Sequence, residues 1–256
     1  DWVELTTDFS LGGASVSAVR AGNVRLRARI DDGRLELGAL DRLLPQTPGK
    51  PFALPQIAVD VADARLRLET VAGVIGAKLA GRGRLDNGFS GRLALIADRL
   101  GDANCAAEHM AALLAVRTAD RQPSITGPVR AQAVACGGIG MAGAVADIDA
   151  RFDARLDRWQ GQGRIALGRV RARQGQASAL TGTVDFNGGP ERPAGRLDLR
   201  SGPADTADAR AAALQLTGQY HVGTAGYGFD GTASARHAAL GPRWLAALSR
   251  AGMAGQ

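Results

Sequence analysis

The sequence predicts an all-β, mainly antiparallel protein: an elongated, curved meander that forms a groove, with one short helix near the C-terminus. The first observation behind this is a period-two pattern, in which Arg25, Arg27 and Arg29 alternate with Val24, Leu26, Ala28 and Ile30. Successive side chains of a strand point to opposite faces, so such a run has one apolar and one charged side. The second is that the pattern returns along most of the chain, with turn signals every eight to twelve residues or so and few intervening helical stretches. The third is composition: 35 glycines in 256 residues, about twice the usual share, with only 4% aromatic residues. Many turns and thin, small-residue packing follow.

Taken in order, the chain opens at Asp1-Trp2-Val3-Glu4-Leu5 already in strand-like alternation and without an initiator methionine, which reads as a segment of a larger protein. Asp32-Gly33 marks a hairpin turn after the arginine strand, since glycine accepts the positive φ that tight turns require. Pro45, Pro48, Pro51 and Pro55 make 41–55 a connecting loop, after a short helical turn at 40–44. Alternation resumes at Ile57-Ala58-Val59-Asp60-Val61 and at Ala64-Arg65-Leu66-Arg67-Leu68-Glu69. Asn87-Gly88 then separates a strand ending near Leu85 from Gly91-Arg92-Leu93-Ala94-Leu95. Residues 103–116 are rich in Ala and Leu and favour helix by propensity, but Met110, Ala112, Leu114 and Val116 also fit a strand, and the context of strands decides for strand. Further strands contain Ile165-Ala166-Leu167, Leu197-Asp198-Leu199-Arg200 and Leu214-Gln215-Leu216, with a turn at Asn187-Gly188-Gly189-Pro190. Pro242 at a first helical position and the apolar Trp244, Leu245 and Leu248 predict a short amphipathic helix over 241–252. The whole of 1–256 reads as one segment of a repeating groove, with a degenerate repeat of roughly thirty to forty residues.

Charge and motifs exclude more than they name. The formal net charge is +6, carried almost wholly by arginine, because Lys50 and Lys78 are the only lysines. Such a surface suits anionic lipid headgroups, phosphate-bearing glycolipid or nucleic acid. Nucleic acid is disfavoured, since the arginines are interleaved with aspartates and no aromatic stacking platform accompanies them. No apolar run of about 18 residues is present, so no predicted helix spans a membrane. Two dinucleotide-like glycine patterns, at Gly138, Gly140, Gly143 and at Gly226, Gly228, Gly231, are near the frequency that chance gives in so glycine-rich a chain, and neither opens a helix. His109, His221 and His237 are isolated, no nucleophile elbow occurs, and no spaced ligand set suggests a metal. The sequence therefore predicts no catalytic residue, no cofactor and no enzyme. Cys105 and Cys136, 31 positions apart, are either free and buried or joined across neighbouring strands in an oxidising compartment.

The apolar alternation has two readings. Two sheets can pack into a closed sandwich or barrel with an ordinary dry core. Alternatively the sheet curls into an open trough whose inner face takes acyl chains. The candidate lining is Val24, Leu26, Ile30, Val59, Val61, Leu66, Leu68, Leu93, Leu95, Ile165, Leu167, Leu197, Leu199, Leu214 and Leu216.

The segments Thr6-Thr7-Asp8-Phe9-Ser10-Leu11-Gly12, Leu40-Asp41-Arg42-Leu43-Leu44-Pro45, Gly49-Lys50-Pro51-Phe52-Ala53-Leu54-Pro55 and Gly81-Arg82-Gly83-Arg84-Leu85-Asp86-Asn87-Gly88-Phe89-Ser90-Gly91 resemble the YdbH-like branch of the AsmA-like superfamily. The resemblance is one of style and order and covers most of the chain. It implies a bridge-like lipid-transfer protein of the Gram-negative envelope. An upstream helix would tether it to the inner membrane, and a β-groove would cross the periplasm and carry phospholipid towards the outer membrane. It also implies an outer-membrane lipoprotein as a partner, and it favours the open trough over the alternative, a closed sandwich or barrel that serves as a scaffold for envelope assembly without lipid transport.

Overall fold

The computed structural model describes residues 2–10, 13–31, 34–36, 54–189, 192–223 and 226–242. Its strands are β1 (Trp2–Ser10), β2 (Gly13–Gly22), β3 (Val24–Asp31), β4 (Arg34–Glu36), β5 (Ala58–Thr70) and β6 (Gly73–Arg84). There follow β7 (Ser90–Gly101), β8 (Cys105–Ala119), β9 (Gln122–Cys136), β10 (Ile139–Phe152), β11 (Trp159–Ala172) and β12 (Gly175–Gly188). The last are β13 (Ala194–Ser201), β14 (Ala204–Thr206), β15 (Ala209–Ala211), β16 (Ala213–Gly223), β17 (Gly226–Arg236) and β18 (Ala239–Leu240). Of the helix predicted over 241–252 only Gly241 and Pro242 are described, and the helical turn at 40–44 lies outside the described residues. So do the Asp32-Gly33 turn and all of the 41–55 loop but Leu54 and Pro55.

All eighteen strands belong to one sheet. From β5 to β13 each strand pairs antiparallel with the next, and β16 and β17 continue beyond β13. The short β14, β15 and β18 extend one margin, where β14 takes over pairing with the first residues of β12. At the other end the meander rule fails. β2 and β3 run parallel to β5, β2 along Ala18 to Ala21 and β3 along Val24 to Arg29. They act as one broken strand, hinged at Asn23, which has a φ of 57°. Asparagine tolerates that left-handed backbone better than most residues. A parallel neighbour needs a long connection rather than a tight turn, and residues 37–57 lie between β4 and β5.

Local chemistry explains most turns. Gly137 and Gly138 both have positive φ and join β9 to β10 in two residues. Asp120 and Arg121 do the same between β8 and β9, at φ 50° and 62°, without a glycine. The expected break at Asn187 falls slightly later, since β12 continues to Gly188. Residues 105–116 are strand within β8, as the context predicted, with Ala103 and Asn104 in the turn before it: hydrogen-bonded neighbours on both sides outweigh the helix propensity of Ala and Leu.

The sheet does not enclose an ordinary core. No large side chain among the described residues is fully buried, and the buried apolar set is mostly alanine, with Val61, Phe89 and Leu114. The accessible surface is 17915 Å², where a compact globule of 26.4 kDa would expose about 10,600 Å². Two packed sheets would bury Leu, Ile and Val completely between them. Among the described residues β17 pairs only with β16 and β1 only with β2, so the sheet is open and does not close into a barrel.

Candidate functional site

The register assembles scattered sequence positions into lines that run across the strands. Leu26, Leu66, Ala77, Leu95, Ala112 and Val129 are successive cross-strand partners from β3 through β9. The line continues through Ala146, Ile165, Gly182, Leu199, Leu216 and Ala233 to β17. Twelve consecutive partners therefore carry no polar side chain. At a strand spacing of about 4.8 Å the line is about 50 Å long.

The other candidate residues flank this line on the same face. Val24 pairs with Ala64, which faces Leu79, which faces Leu93, which faces Leu114. Leu197 pairs with Val184 and Gly218, Leu167 with Ala144 and Leu180, and Leu214 with Ser201 and Ala235. Val59 and Val61 oppose Gly83 and Gly81, Leu68 opposes Ala28 and Ile75, and Ile30 is two residues beyond Ala28. All fifteen positions share one face.

That face is the more sheltered one. Along β11, Gly163 is buried and Ile165 and Leu167 are half-buried, while Arg164 and Ala166 between them are exposed. Leu114 is only 4% exposed. This continuous apolar face can accept aliphatic chains by desolvation.

One side of this face is aromatic. Gly161, Phe186, Gly195, Tyr220 and Phe229 are successive partners on β11, β12, β13, β16 and β17. The rings cover glycines: a Cβ added at Gly218 or Gly231 would sit 2.7 Å from the Phe229 ring. Phe89 covers Gly81 and Gly91 in the same way and is 4% exposed. Its loop is clamped by buried Thr118, whose Oγ1 accepts from the Phe89 N–H at 3.1 Å and donates to the Arg84 carbonyl at 3.3 Å. Tyr220 donates its hydroxyl to the Asp185 carbonyl at 3.3 Å, and burial followed by the Asp185 charge pushes its pKa up. Sequence reading missed this aromatic side; its signal was a set of aromatics near strand ends in a chain with very few of them.

At one end of β8, Cys105 is the register partner of Cys136 on β9, and the two sulfurs are bonded. Asp102 caps the preceding turn through the backbone N–H groups of Asn104 and Cys105, at 2.7 and 2.8 Å. The Cys105 bond and then the Asn104 bond hold its carboxyl below the ordinary range.

The opposite face carries the charges. Asp63 lies 3.2 Å from Arg65 and 3.1 Å from Lys78, and Glu69 lies 3.3 Å from Arg29 and 3.4 Å from Arg67. Arg65 and then Lys78 lower the Asp63 pKa, and Arg29 and then Arg67 lower that of Glu69. Gly138, Gly140 and Gly143 fall in a turn and in β10, and Gly226, Gly228 and Gly231 fall within β17, so neither glycine pattern precedes a helix. His109 lies in β8 and His221 in β16, while His237 follows β17. No cluster able to hold a metal ion occurs among the described residues, and none of their helices is long and apolar enough to cross a membrane.

No curated protein and no solved structure matches the chain. A family model does: that of the YdbH-like family, described as intermembrane phospholipid transport protein YdbH, matches residues 5–253. With nearly the whole sequence covered, and with an open all-β sheet that presents one continuous apolar face, the chain belongs to the YdbH-like family of intermembrane phospholipid transport proteins.

Proposed function

We propose that this chain is a stretch of a periplasmic bridge that shelters phospholipid acyl chains in its apolar trough as they pass between inner and outer membranes. An upstream helix would hold the bridge at the inner membrane, and an outer-membrane lipoprotein would receive it at the far side. The observation that carries the reading is the unbroken line of twelve apolar or glycine positions across the sheet, in a fold without an ordinary core to account for it. Keeping one methylene out of water is worth about 0.8 kcal/mol, so complete desorption of a long acyl chain is slow. A continuous apolar track replaces desorption by sliding. Nothing in such a step needs a nucleophile, a metal or a nucleotide. The Cys105–Cys136 bond fits the oxidising periplasm.

The test is lipid extraction and native mass spectrometry on the purified chain. Several phospholipids per chain are expected. Leu95→Asp together with Leu199→Asp should reduce them at least severalfold while circular dichroism remains that of a sheet, and Ala94→Asp with Asp198→Asn, on the other face, should not. A monodisperse, lipid-free wild type would favour the closed scaffold instead.

A further inference from the structure

The arginine alternation that marks this sequence is not used by the trough, because it faces the other way. On that outer face Arg25 is the direct cross-strand partner of Arg65, which faces Lys78, and Arg27 is the partner of Arg67. Like charges placed opposite one another cost stability, and here the parallel pairing of β3 with β5 stacks them twice. The neighbouring acids only partly offset this: Asp63 serves Arg65 and Lys78, and Glu69 serves Arg29 and Arg67. Among the described residues no acid lies within ion-pair distance of Arg25 or Arg27.

The same lines become aliphatic as they leave the cations. Lys78 faces Ala94, which faces Leu113; Arg67 faces Gly76, which faces Ile96, which faces Ala111. Ile96 is 65% exposed and Leu113 56% exposed. A shallow depression of about 700 Å³ lies where the two halves meet, between Arg25, Arg65, Arg67 and Ile96.

We propose that this outer surface of β3 to β8 docks on an anionic phospholipid bilayer, its cations on the headgroup phosphates and Ile96 and Leu113 in the interfacial layer. Two features favour a bilayer. First, the cations form a repeating grid that suits many equivalent anions at a surface, each basic residue near such a surface contributing about 1 kcal/mol. Second, aliphatic side chains lie immediately beside them, the combination by which peripheral segments settle at the headgroup boundary. The inference is independent of the trough, since the two faces do not share side chains. It gives the bridge a contact with a membrane besides any helical anchor.

The experiment is co-flotation of the purified chain with phosphatidylcholine vesicles, with and without phosphatidylglycerol, at low and high salt. Binding should require phosphatidylglycerol and weaken with salt. Replacing Arg25 and Arg27 by serine should weaken it roughly thirtyfold, and Ile96→Ser should weaken it further. Arg196→Ser with Arg200→Ser, on the same face but on β13, is the control and should change it little. The proposal falls if wild type does not float, if binding is indifferent to phosphatidylglycerol, or if the control pair weakens binding as much as the Arg25 and Arg27 pair does. Phospholipid that copurifies in the trough is measured in parallel and should be unchanged in all these variants. Loss of trough lipid with flotation intact would count against the transport reading alone.

Discussion

At the scale of single residues, the molecule depends on a few polar side chains holding an otherwise apolar margin in place. Thr118 is the clearest case. Its hydroxyl joins β6 to the Phe89 loop from β8, and Arg84 and Asp86 form an ion pair at 3.2 Å beside it. Thr118→Val keeps the shape but leaves the Phe89 N–H without its acceptor in a buried position. We expect a loss of about 1–3 kcal/mol in denaturant unfolding, with Thr118→Ser restoring most of it. A loss below a few tenths of a kcal/mol would mean that the Phe89 ring holds the loop unaided. Sequence reading did not single out Thr118, because a lone threonine in an alternating run shows nothing until its neighbours across the sheet are known.

At the scale of elements, β8 and β9 are a long hairpin with a glycine-free turn at one end and a disulfide at the other. Bonding residues 31 apart restricts the unfolded chain, which by the loop-entropy account is worth about 3–4 kcal/mol. Replacing Cys105 and Cys136 together by alanine should therefore lower the unfolding free energy by an amount of that order. The wild type unfolded in reductant should match the variant, and if it remains as stable as the oxidised protein, the bond is not a constraint on the unfolded state. The two-residue turn at Asp120 and Arg121 was not legible in the sequence, since it lacks the Asn or Gly that normally marks positive φ. The turn at Gly137 and Gly138 shares Gly138 with the first dinucleotide-like glycine pattern. Element boundaries suffered where the signal for a turn and the signal for something else use the same residue.

At the scale of the whole molecule, each strand from β5 onward touches mainly its two neighbours, so stability is close to a sum of nearest-neighbour terms. Strands β9, β10 and β11 are long and are paired along most of their length on both sides. By contrast, among the described residues β17 has one partner, and residues 229–240 are exposed. Hydrogen exchange should accordingly show a gradient, with protection greatest in β9 to β11 and falling by orders of magnitude towards β17 and β18. Uniform protection that collapses in one step would mean a cooperative core that a sheet of this thinness does not provide.

The alternation by itself determined that the chain is β, which side chains share a face, and that the face of Leu26, Leu66, Leu95, Ile165, Leu199 and Leu216 is apolar. That much is legible because the two-residue period is set by the backbone and does not depend on which strands are neighbours. Only the tertiary structure decided that these six fall on one line rather than on six unrelated heights, because register depends on turn lengths and bulges such as the one between Val61 and Ala64. It also decided that β3 lies parallel to β5, setting arginine against arginine. And it decided that the sheet stays open, since closure is a matter of which edge meets which, and no local pattern of residues encodes it.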